Sequence, residues 1–332
     1  MIVVAGEALI DLVPGPQQPS PDQPGGEDAA PTDGLLPALQ PQRGGGPYNT
    51  AVALGRLGSP TAFCSRVSTD AFGAALLHGL HRSGVDTSLV QRGGEPTTLA
   101  VADISPDGSA GYGFYAEGTA DRLFALPPAL PDTVRALSLG TCSLVLEPGA
   151  SAYEALLRRE ARRGVFTALD PNIRANLIPE PDAYRSRFRS WLPDLALLKL
   201  SEEDALWLAG AEDAADGGRE AVTAAAKEWL DEGPAAIVLT HGGDGLTVLT
   251  RGGGALSVPG ERVEVVDTIG AGDTVNAALL HRLDAHGALS YDAVRALGDD
   301  DWRDILRFAA RAAAVTCSRA GAQPPFAAEV TG

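Results

Sequence analysis

The stretch Asp267-Thr268-Ile269-Gly270-Ala271-Gly272-Asp273 decides the fold of this chain. The β-branched residues Val263, Val265 and Val266 before it predict a strand, and the apolar periodicity after it predicts a helix. The stretch is therefore expected to be a strand-to-helix turn. Its glycines allow the backbone to approach a ligand closely, and the unpaired N–H groups of the helix terminus attract an anion. Asp273 adds a carboxylate able to accept a proton, a combination that suits phosphoryl transfer.

Other glycine-rich phosphate sites do not fit the sequence. The P-loop requires a lysine after a glycine, and the two lysines of the chain, Lys199 and Lys227, do not follow one. No GxGxxG follows a predicted strand and no HRD precedes a DFG, which argues against a dinucleotide fold and a protein kinase. For the stretch taken alone, an ordinary turn with an acidic N-cap remains the alternative.

The composition is typical of a globular protein with an acidic surface. The chain has 332 residues, of which 45% are hydrophobic, and a formal net charge of −17 at pH 7. Nucleic acid and anionic membranes are not expected partners, because both would repel this charge. The three cysteines lack the spacing of a disulfide framework or a zinc site. No apolar run reaches the ~18 residues of a membrane span, and no signal peptide is evident, so we expect a cytoplasmic protein.

The N-terminal region offers two candidate ligand-binding groups. Residues 2–13 predict a strand region interrupted at Gly6-Glu7, in which Asp11 is either a solvent-facing strand end or a carboxylate that binds a polyol. Residues 14–44 are rich in proline and glycine and predict a long loop or flap. The turn at 44–49 opens a helix, and its Asn49 has an amide that both donates and accepts hydrogen bonds, as sugar hydroxyls require.

A predicted hairpin interrupts the alternation of strands and helices. Residues 97–104 and 111–115 are strand-like and are separated by a strong turn signal at 105–108. We expect these strands, with part of residues 8–44, to form a small antiparallel lid on the main sheet. The whole chain, 1–332, is then a single domain that carries this lid.

From about residue 136 the alternation of strands and helices becomes regular. Strands are expected near 136–140, 165–170, 195–200 and 235–240, with helices near 150–163, 182–191, 202–209 and 217–232 between them. This order predicts an α/β fold with a doubly wound, mainly parallel sheet and ligands at the carboxyl ends of its strands. Polar groups stand at three such ends, at 170–174, 199–203 and 240–245.

The segments 44–49 and 267–273 together resemble the two signatures of the ribokinase-like (PfkB) carbohydrate kinases. The likeness extends from Gly6 to Pro324, with both signatures in the expected order, and is nearest in pattern to fructokinase and 2-keto-3-deoxygluconate kinase. It implies an α/β/α sandwich with a β lid, the use of ATP and Mg²⁺, and phosphorylation of a primary hydroxyl of a ketose or hexose. A homodimer through the lid is also implied.

The resemblance assigns roles to individual residues. It implies that Asp273 is the general base and that backbone N–H groups of Gly270, Ala271 and Gly272 bind the transferred phosphoryl group. It places the sugar at Asp11, Gly45, Asn49 and Arg174, and the nucleotide at Lys199, Thr240, Gly243, Gly245, Asn276 and Cys317. Glu202 would support Mg²⁺ through water, and backbone carbonyls near Asp267 would bind the monovalent cation, K⁺, that some members use.

Two departures from the family pattern leave the sugar and K⁺ activation open. Fructokinases commonly carry an arginine where this sequence has Ala116, and Pro325 stands where K⁺-activated members have a serine. Alternatives within the family are a 2-keto-3-deoxygluconate kinase and a ribokinase or nucleoside kinase. From other classes, the alternatives are a non-catalytic regulator that binds sugar or nucleotide and a nicotinamide-dependent oxidoreductase. The intact Asp273 and its glycines favour the kinase.

Overall fold

The computed structural model describes residues 1–15, 38–104, 110–212, 218–251 and 254–330. The central element is an eight-stranded sheet in the order β14-β13-β12-β11-β10-β9-β1-β4, in which the six strands from β12 to β4 run parallel. Its strands are β1 (Ile2–Ala5), β4 (Thr61–Cys64), β9 (Ala136–Gly140), β10 (Phe166–Asp170), β11 (Leu197–Ser201), β12 (Ala236–Thr240), β13 (Leu246–Thr250) and β14 (Ala255–Val258).

A second, four-stranded sheet stands apart from the first. Its strands are β2 (Leu9–Pro14), β3 (Leu39–Gly44), β7 (Leu99–Ile104) and β8 (Ala110–Tyr115), in the order β3-β2-β7-β8. The pairs β2–β3 and β7–β8 are antiparallel, as expected for the lid, whereas the central pair β2–β7 is parallel. Strand β3 occupies part of the segment 14–44 that was predicted as a loop, and residues 16–37 of that segment lie outside the described residues. Strands β5 (Arg66–Ser68) and β6 (Gln91–Gly93) form a separate short pair.

Helices cover both faces of the main sheet. They are α1 (Gly46–Arg56), α2 (Ala71–Arg82), α3 (Gly149–Arg162), α4 (Pro181–Trp191), α5 (Glu202–Ala209), α6 (Arg219–Glu232), α7 (Ala271–Ala285), α8 (Tyr291–Ala296), α9 (Asp299–Cys317) and α10 (Ala327–Val330). Alternate side chains of β1 enter opposite cores, because successive strand residues point to opposite faces. Ile2 and Val4 pack with α1, α7 and α9, while Val3 and Ala5 pack with α3, α4 and α6. The predicted doubly wound α/β fold is confirmed.

The strand order reverses direction at β1, which has β4 on one side and β9 on the other. In open α/β sheets, ligands bind at such a switch point, beyond the carboxyl ends of the strands. The small sheet begins at the same place, since β2 follows β1 after the Gly6-Glu7 break. The topology therefore puts the two predicted signatures and the small sheet around one crevice.

One predicted strand is absent. The segment with Val263, Val265 and Val266 is extended but pairs with no strand among the described residues, and these side chains are 40%, 61% and 59% exposed. Their β-branched side chains favour a strand only where a neighbouring strand covers them. Here the backbone instead donates from Val266 N to the carbonyl of Cys317 at 2.8 Å. The segment preceding the glycine turn is thus tied to the end of α9.

Candidate active site

The turn at 267–273 leads directly into α7, as the sequence predicted. Gly270 adopts φ +77°, a left-handed conformation that favours glycine, and α7 starts at Ala271. The helix terminus thereby points its first N–H groups toward the crevice. Of the three amides expected to bind phosphate, that of Ala271 donates to the carbonyl of Thr268 at 3.2 Å. The positive end of the α7 dipole lies at the mouth of the site, where an anion is stabilised.

The two signatures meet at Asp273. The amide of Asn49, in the first turns of α1, donates to Asp273 Oδ2 at 2.9 Å, although the residues are 224 positions apart. The hydroxyl of Thr50 donates to the backbone carbonyl of Asp273 at 3.4 Å. Asp273 is 7% exposed, so its carboxylate is fixed in orientation and largely removed from water.

The environment of Asp273 makes it a stronger base than an ordinary aspartate. Burial raises the pKa of Asp273 to about 7, and the negative charge of Asp170 acts in the same direction. The hydrogen bond from Asn49 and the positive charges of Lys199 and Arg174 act in the opposite direction. A general base is most effective when its pKa lies near the working pH. The position and the pKa of Asp273 therefore both suit proton abstraction from an alcohol.

A cleft of about 240 Å³ opens beside Asp273. Both sheets and the glycine turn contribute its lining residues, which are Glu7, Leu9, Asp11, Gly45, Gly46, Asn49, Phe114, Thr141, Cys142, Asn172, Arg174, Thr268, Ile269, Gly270, Gly272 and Asp273. All four residues predicted to hold the sugar are among them. The cleft thus brings the predicted base and the four predicted sugar ligands together.

Asp11 and Arg174 form a polar wall of the cleft. Burial raises the pKa of Asp11 to about 6, and the positive charge of Arg174 opposes this effect. The guanidinium of Arg174 donates to Asn172 Oδ1 at 2.7 Å, which fixes its position. Asp11 fits closely against the backbone at the end of β3, because a Cβ at Gly44 would lie 1.9 Å from Asp11 Oδ2. Glycine at position 44 is therefore required for this wall.

Lys199 lies below the glycine turn rather than in the open cleft. Its ammonium donates to Asp170 Oδ2 at 2.9 Å, and the side chains are 4% and 5% exposed. Burial lowers the pKa of Lys199, but the negative charges of Asp170, Asp204 and Asp273 together raise it overall. The ammonium is 3.1 Å from the position that a Cβ at Gly272 would take. Its charge is thus close to the predicted phosphate site, and the ammonium has two further N–H groups beyond the one that it donates to Asp170.

The predicted nucleotide loop lies next to Glu202. Thr240 ends β12 opposite Ser201 of β11, and the loop that contains Gly243 and Gly245 follows directly. Glu202 Oε1 is 2.9 Å from His241 Nδ1. The sequence did not single out His241, although its position in the loop could have indicated it. None of these residues is among those that line the cleft beside Asp273.

Asp267 joins the glycine turn to the C-terminal loop. Its carboxylate accepts hydrogen bonds from Ile269 N at 3.0 Å and from Gly321 N at 2.8 Å. The carbonyl of Cys317 accepts from Asp267 N at 3.2 Å, so the end of α9 is part of the same assembly. Cys317 thus lies beside the exposed valine segment.

Asn276, which the resemblance places near adenosine, lies in the interior. It is 3% exposed and its amide donates to Ser138 Oγ in β9 at 3.2 Å. It follows Asp273 by three positions and so lies on the same side of α7. Asn276 thereby attaches α7 to the sheet.

Several polar residues of the site were not identified from the sequence. The carboxylate of Glu7 accepts hydrogen bonds from the hydroxyl of Thr141 and from Ser143 N, and Glu7 is 2% exposed. Asp204 accepts from Ile173 N at 2.7 Å and also caps α5. It thereby fixes the loop that carries Arg174. An acid inside an apolar run was the available signal for Glu7, whereas Asp204 carried none beyond its place near a helix start.

No group of three or more His, Cys, Asp or Glu side chains that could hold a metal occurs among the described residues. Within the described ranges, no helix has the length and apolarity needed to span a membrane.

A helix terminus beside a buried carboxylate, above a cleft lined with groups that bind hydroxyls, defines a phosphotransferase that acts on an alcohol. A family model described as pfkB family carbohydrate kinase matches residues 1–329, and the chain belongs to this family. A fructokinase from Rhizobium leguminosarum bv. trifolii is 37% identical over 306 residues, which cover 92% of this chain and 86% of the relative.

Solved structures agree with this classification. The fructokinase of Xylella fastidiosa with bound ATP superimposes with a TM-score of 0.83 and 26% identity, covering 99% of this chain and 96% of that one. A double mutant of the fructokinase of Vibrio cholerae O395, bound to fructose, ADP and a potassium ion, shares the fold with a TM-score of 0.80 and 24% identity, over 99% and 97% of the two chains. The protein is an ATP-dependent sugar kinase.

Proposed function

We propose that this kinase transfers the γ-phosphoryl group of ATP to a primary hydroxyl of a neutral ketohexose of the fructose type, with Asp273 as the general base. The observation that carries the proposal is the single cleft that joins Asp273 and Asn49 to Asp11 and Arg174. The 37% identity to a fructokinase supports the choice of sugar.

The charges of the cleft favour a neutral substrate. Of the described residues that line it, three are carboxylic acids, Glu7, Asp11 and Asp273, and one is a cation, Arg174. Arg174 already donates to Asn172 and lies near Asp11. An anionic sugar acid or sugar phosphate would therefore meet uncompensated negative charge, which costs binding free energy. This argues against 2-keto-3-deoxygluconate, whereas a polyol can share its hydroxyls among the carboxylates and amides.

The chemistry requires one proton transfer and one displacement. The sugar hydroxyl gives its proton to the carboxylate of Asp273 while its oxygen forms a bond to the γ-phosphorus, and the bond to the β-phosphate oxygen of ATP breaks to release ADP. The α7 terminus at Gly270–Gly272 stabilises the charge on the transferred group. General-base assistance contributes roughly 10²–10⁴-fold to the rate. Asn49 holds Asp273 in the orientation that the transfer needs.

Two ions complete the proposal. Mg²⁺, when bound, neutralises phosphate charge, and Glu202 would hold it through water because its carboxylate faces the nucleotide loop. Backbone carbonyls near Asp267 would hold K⁺, which is present in the Vibrio cholerae relative. The hydrogen bond between Asp267 and Gly321 N already brings together the two loops that such a site would need.

The small sheet is proposed to close over the sugar as a lid on a single domain of residues 1–332. Its strand β2 carries Asp11 and its strand β8 carries Phe114, so both strands supply lining residues to the cleft. A homodimer through this sheet and a cytoplasmic location are further parts of the proposal. The three free cysteines, Cys64, Cys142 and Cys317, suit a reducing compartment.

The test is a coupled assay of ADP release by the purified protein with saturating MgATP. The substrates are fructose, 2-keto-3-deoxygluconate, ribose, tagatose 6-phosphate and a nucleoside, each with and without K⁺. We expect the highest kcat/KM for fructose and no more than weak turnover of the two anionic sugars. A preference for an anionic sugar would overturn the substrate assignment, and a full kcat in Asp273→Asn would overturn the assigned base.

A further inference from the structure

We infer that Asp170 and Lys199 are positioning residues that act through Asp273, by holding its carboxylate in a fixed field of opposed charges that preserves its strength as a base. The inference rests on the proposed function, in which Asp273 takes the proton of the sugar. It assigns a role in proton transfer to the Asp170–Lys199 pair, for which the sequence implied only a phosphate contact of Lys199.

The pair is built into the floor of the site. Asp170 ends β10 and Lys199 lies on the neighbouring strand β11, so the parallel pairing of these strands brings the two side chains together. Lys199 Nζ is 2.9 Å from Asp170 Oδ2 and borders Gly272, the residue that precedes Asp273. Both side chains are at least nine-tenths buried, at 4% and 5% exposure. Their positions relative to Asp273 are therefore set by the sheet and do not depend on flexible loops.

Asp170 shares a small cavity with the base. A cavity of about 10 Å³ is lined by Asp170, Asp273 and Asn276, among others. A cavity of this size holds at most about one water molecule. Charges that interact across such a space are screened far less than charges at a surface. A change of charge at Asp170 will therefore directly change the free energy of ionising the carboxyl group of Asp273.

The two members of the pair act on Asp273 in opposite directions. Asp170 opposes the loss of the proton from Asp273, and Lys199 favours it. The other charged group that acts on Asp273 is Arg174, from the loop after β10, while Asn49 from α1 is neutral. Glu7, Asp11 and the thiol of Cys142 complete the titratable groups that line the cleft. Within this set, the negative charge of Asp170 outweighs the positive charge of Lys199 at Asp273.

The hydrogen bonding of Asp170 also points to an electrostatic role. Its Oδ2 accepts from Lys199, whereas its buried Oδ1 accepts no hydrogen bond from the described residues. A buried ion pair adds to stability only when its remaining polar atoms are satisfied, and it is often replaced by apolar residues without loss. Asp170 borders the same cavity as Asp273, so its charge serves the base more directly than it serves the fold.

The experiment measures kcat/KM for fructose against pH, at saturating MgATP, in the wild-type enzyme and two variants. In Asp170→Asn, the unopposed charge of Lys199 stabilises the ionised base. The acidic limb of the profile should then move at least about one pH unit lower, and the plateau should fall because a weaker base remains. In the double variant Asp170→Asn with Lys199→Met, the limb should lie between those of Asp170→Asn and the wild type.

The matched control is Glu160→Gln, which removes another buried carboxylate, paired with Arg159 and distant from the cleft. Its acidic limb should coincide with that of the wild type even if the protein is less stable. An unmoved limb in the double variant, or a limb that moves to higher pH in Asp170→Asn, overturns the inference. If Asp170→Asn does not fold, the double variant decides alone, because it leaves no unpaired buried charge. High activity in Asp273→Asn would instead refute the proposed base.

Discussion

Replacing Asp273 by asparagine should weaken catalysis and stabilise the protein at the same time. The carboxylate is 7% exposed, and its pKa is raised from 3.8 to about 7. A raised pKa means that ionisation is less favourable in the folded state, so folding stability is lost as pH rises from the unfolded value through the folded one. Asparagine has the same shape, can still accept from Asn49, and carries no charge to bury.

The magnitude follows from the size of this pKa shift. At about 1.36 kcal/mol per unit, a rise from 3.8 to about 7 corresponds to about 4 kcal/mol once Asp273 is fully ionised. The stability advantage of Asp273→Asn should therefore be about 1.5 kcal/mol at pH 5 and about 4 kcal/mol at pH 8. With ~2.1 cal/mol/K of unfolding entropy per residue, a chain of 332 residues should gain about 6 °C in Tm at pH 8. At pH 8, where Asp273 of the wild type is mostly ionised, kcat should be lower by at least ~10², and this difference should shrink toward pH 5.

The assay is thermal unfolding of both proteins between pH 5 and 8.5, combined with kcat at each pH. Asp267→Asn is the matched control, since it removes a charge from the same turn but loses a carboxylate that accepts two backbone N–H groups. This control should lose stability at every pH. If Asp273→Asn showed no gain in Tm between pH 5 and 8, the reasoning from burial of the carboxylate would be refuted.

Three other changes test separate parts of the site. In Gly44→Ala, the new Cβ would lie 1.9 Å from Asp11 Oδ2 and displace it, so KM for the sugar should rise at least ~10-fold with KM for ATP unchanged. Gly94→Ala, whose Cβ meets no atom within 4 Å, is the control, and equal KM values would contradict the role of Asp11. In Glu202→Gln, the Mg²⁺ concentration for half-maximal activity should rise ~10-fold; an unchanged Mg²⁺ titration would exclude Glu202 from the metal site. In Asp204→Ala, loss of an acceptor for two backbone amides should lower the free energy of unfolding by about 1–3 kcal/mol, visible as an earlier midpoint in urea, and an unshifted midpoint would show that these bonds add nothing.

The main elements of the fold could be predicted because the sequence alternates regularly between short apolar runs and amphipathic segments. The strands near 136–140, 165–170, 195–200 and 235–240 occur within a residue or two of their expected places. The strand predicted at 263–266 was wrong for a physical reason, since β-branched residues indicate a strand only if a partner strand is available. The end of α9 bonds this segment instead.

The sequence indicated the site residues that lie in the glycine turns. It did not indicate the contacts made by residues beneath those turns. Asn49 and Asp273 carry short motifs whose chemistry can be read locally, and the structure brings them within 2.9 Å of each other. The pairing of Asp170 with Lys199 depends on which strands are neighbours, and that is a property of the whole sheet. The burial of Asn276 likewise depends on which side of α7 faces the sheet. Such facts follow from tertiary packing and not from local pattern.

The small sheet adds contacts to a site whose base lies elsewhere. Asp11 belongs to its strand β2, whereas Asn49, Arg174 and Asp273 belong to the body that surrounds the large sheet. Under the proposed function, the contacts that the small sheet makes with the acceptor can therefore diverge while the base and the other predicted sugar ligands are retained. A chimera that grafts the four short strands of a homologue onto this body offers a route to new acceptors with the original phosphate chemistry retained.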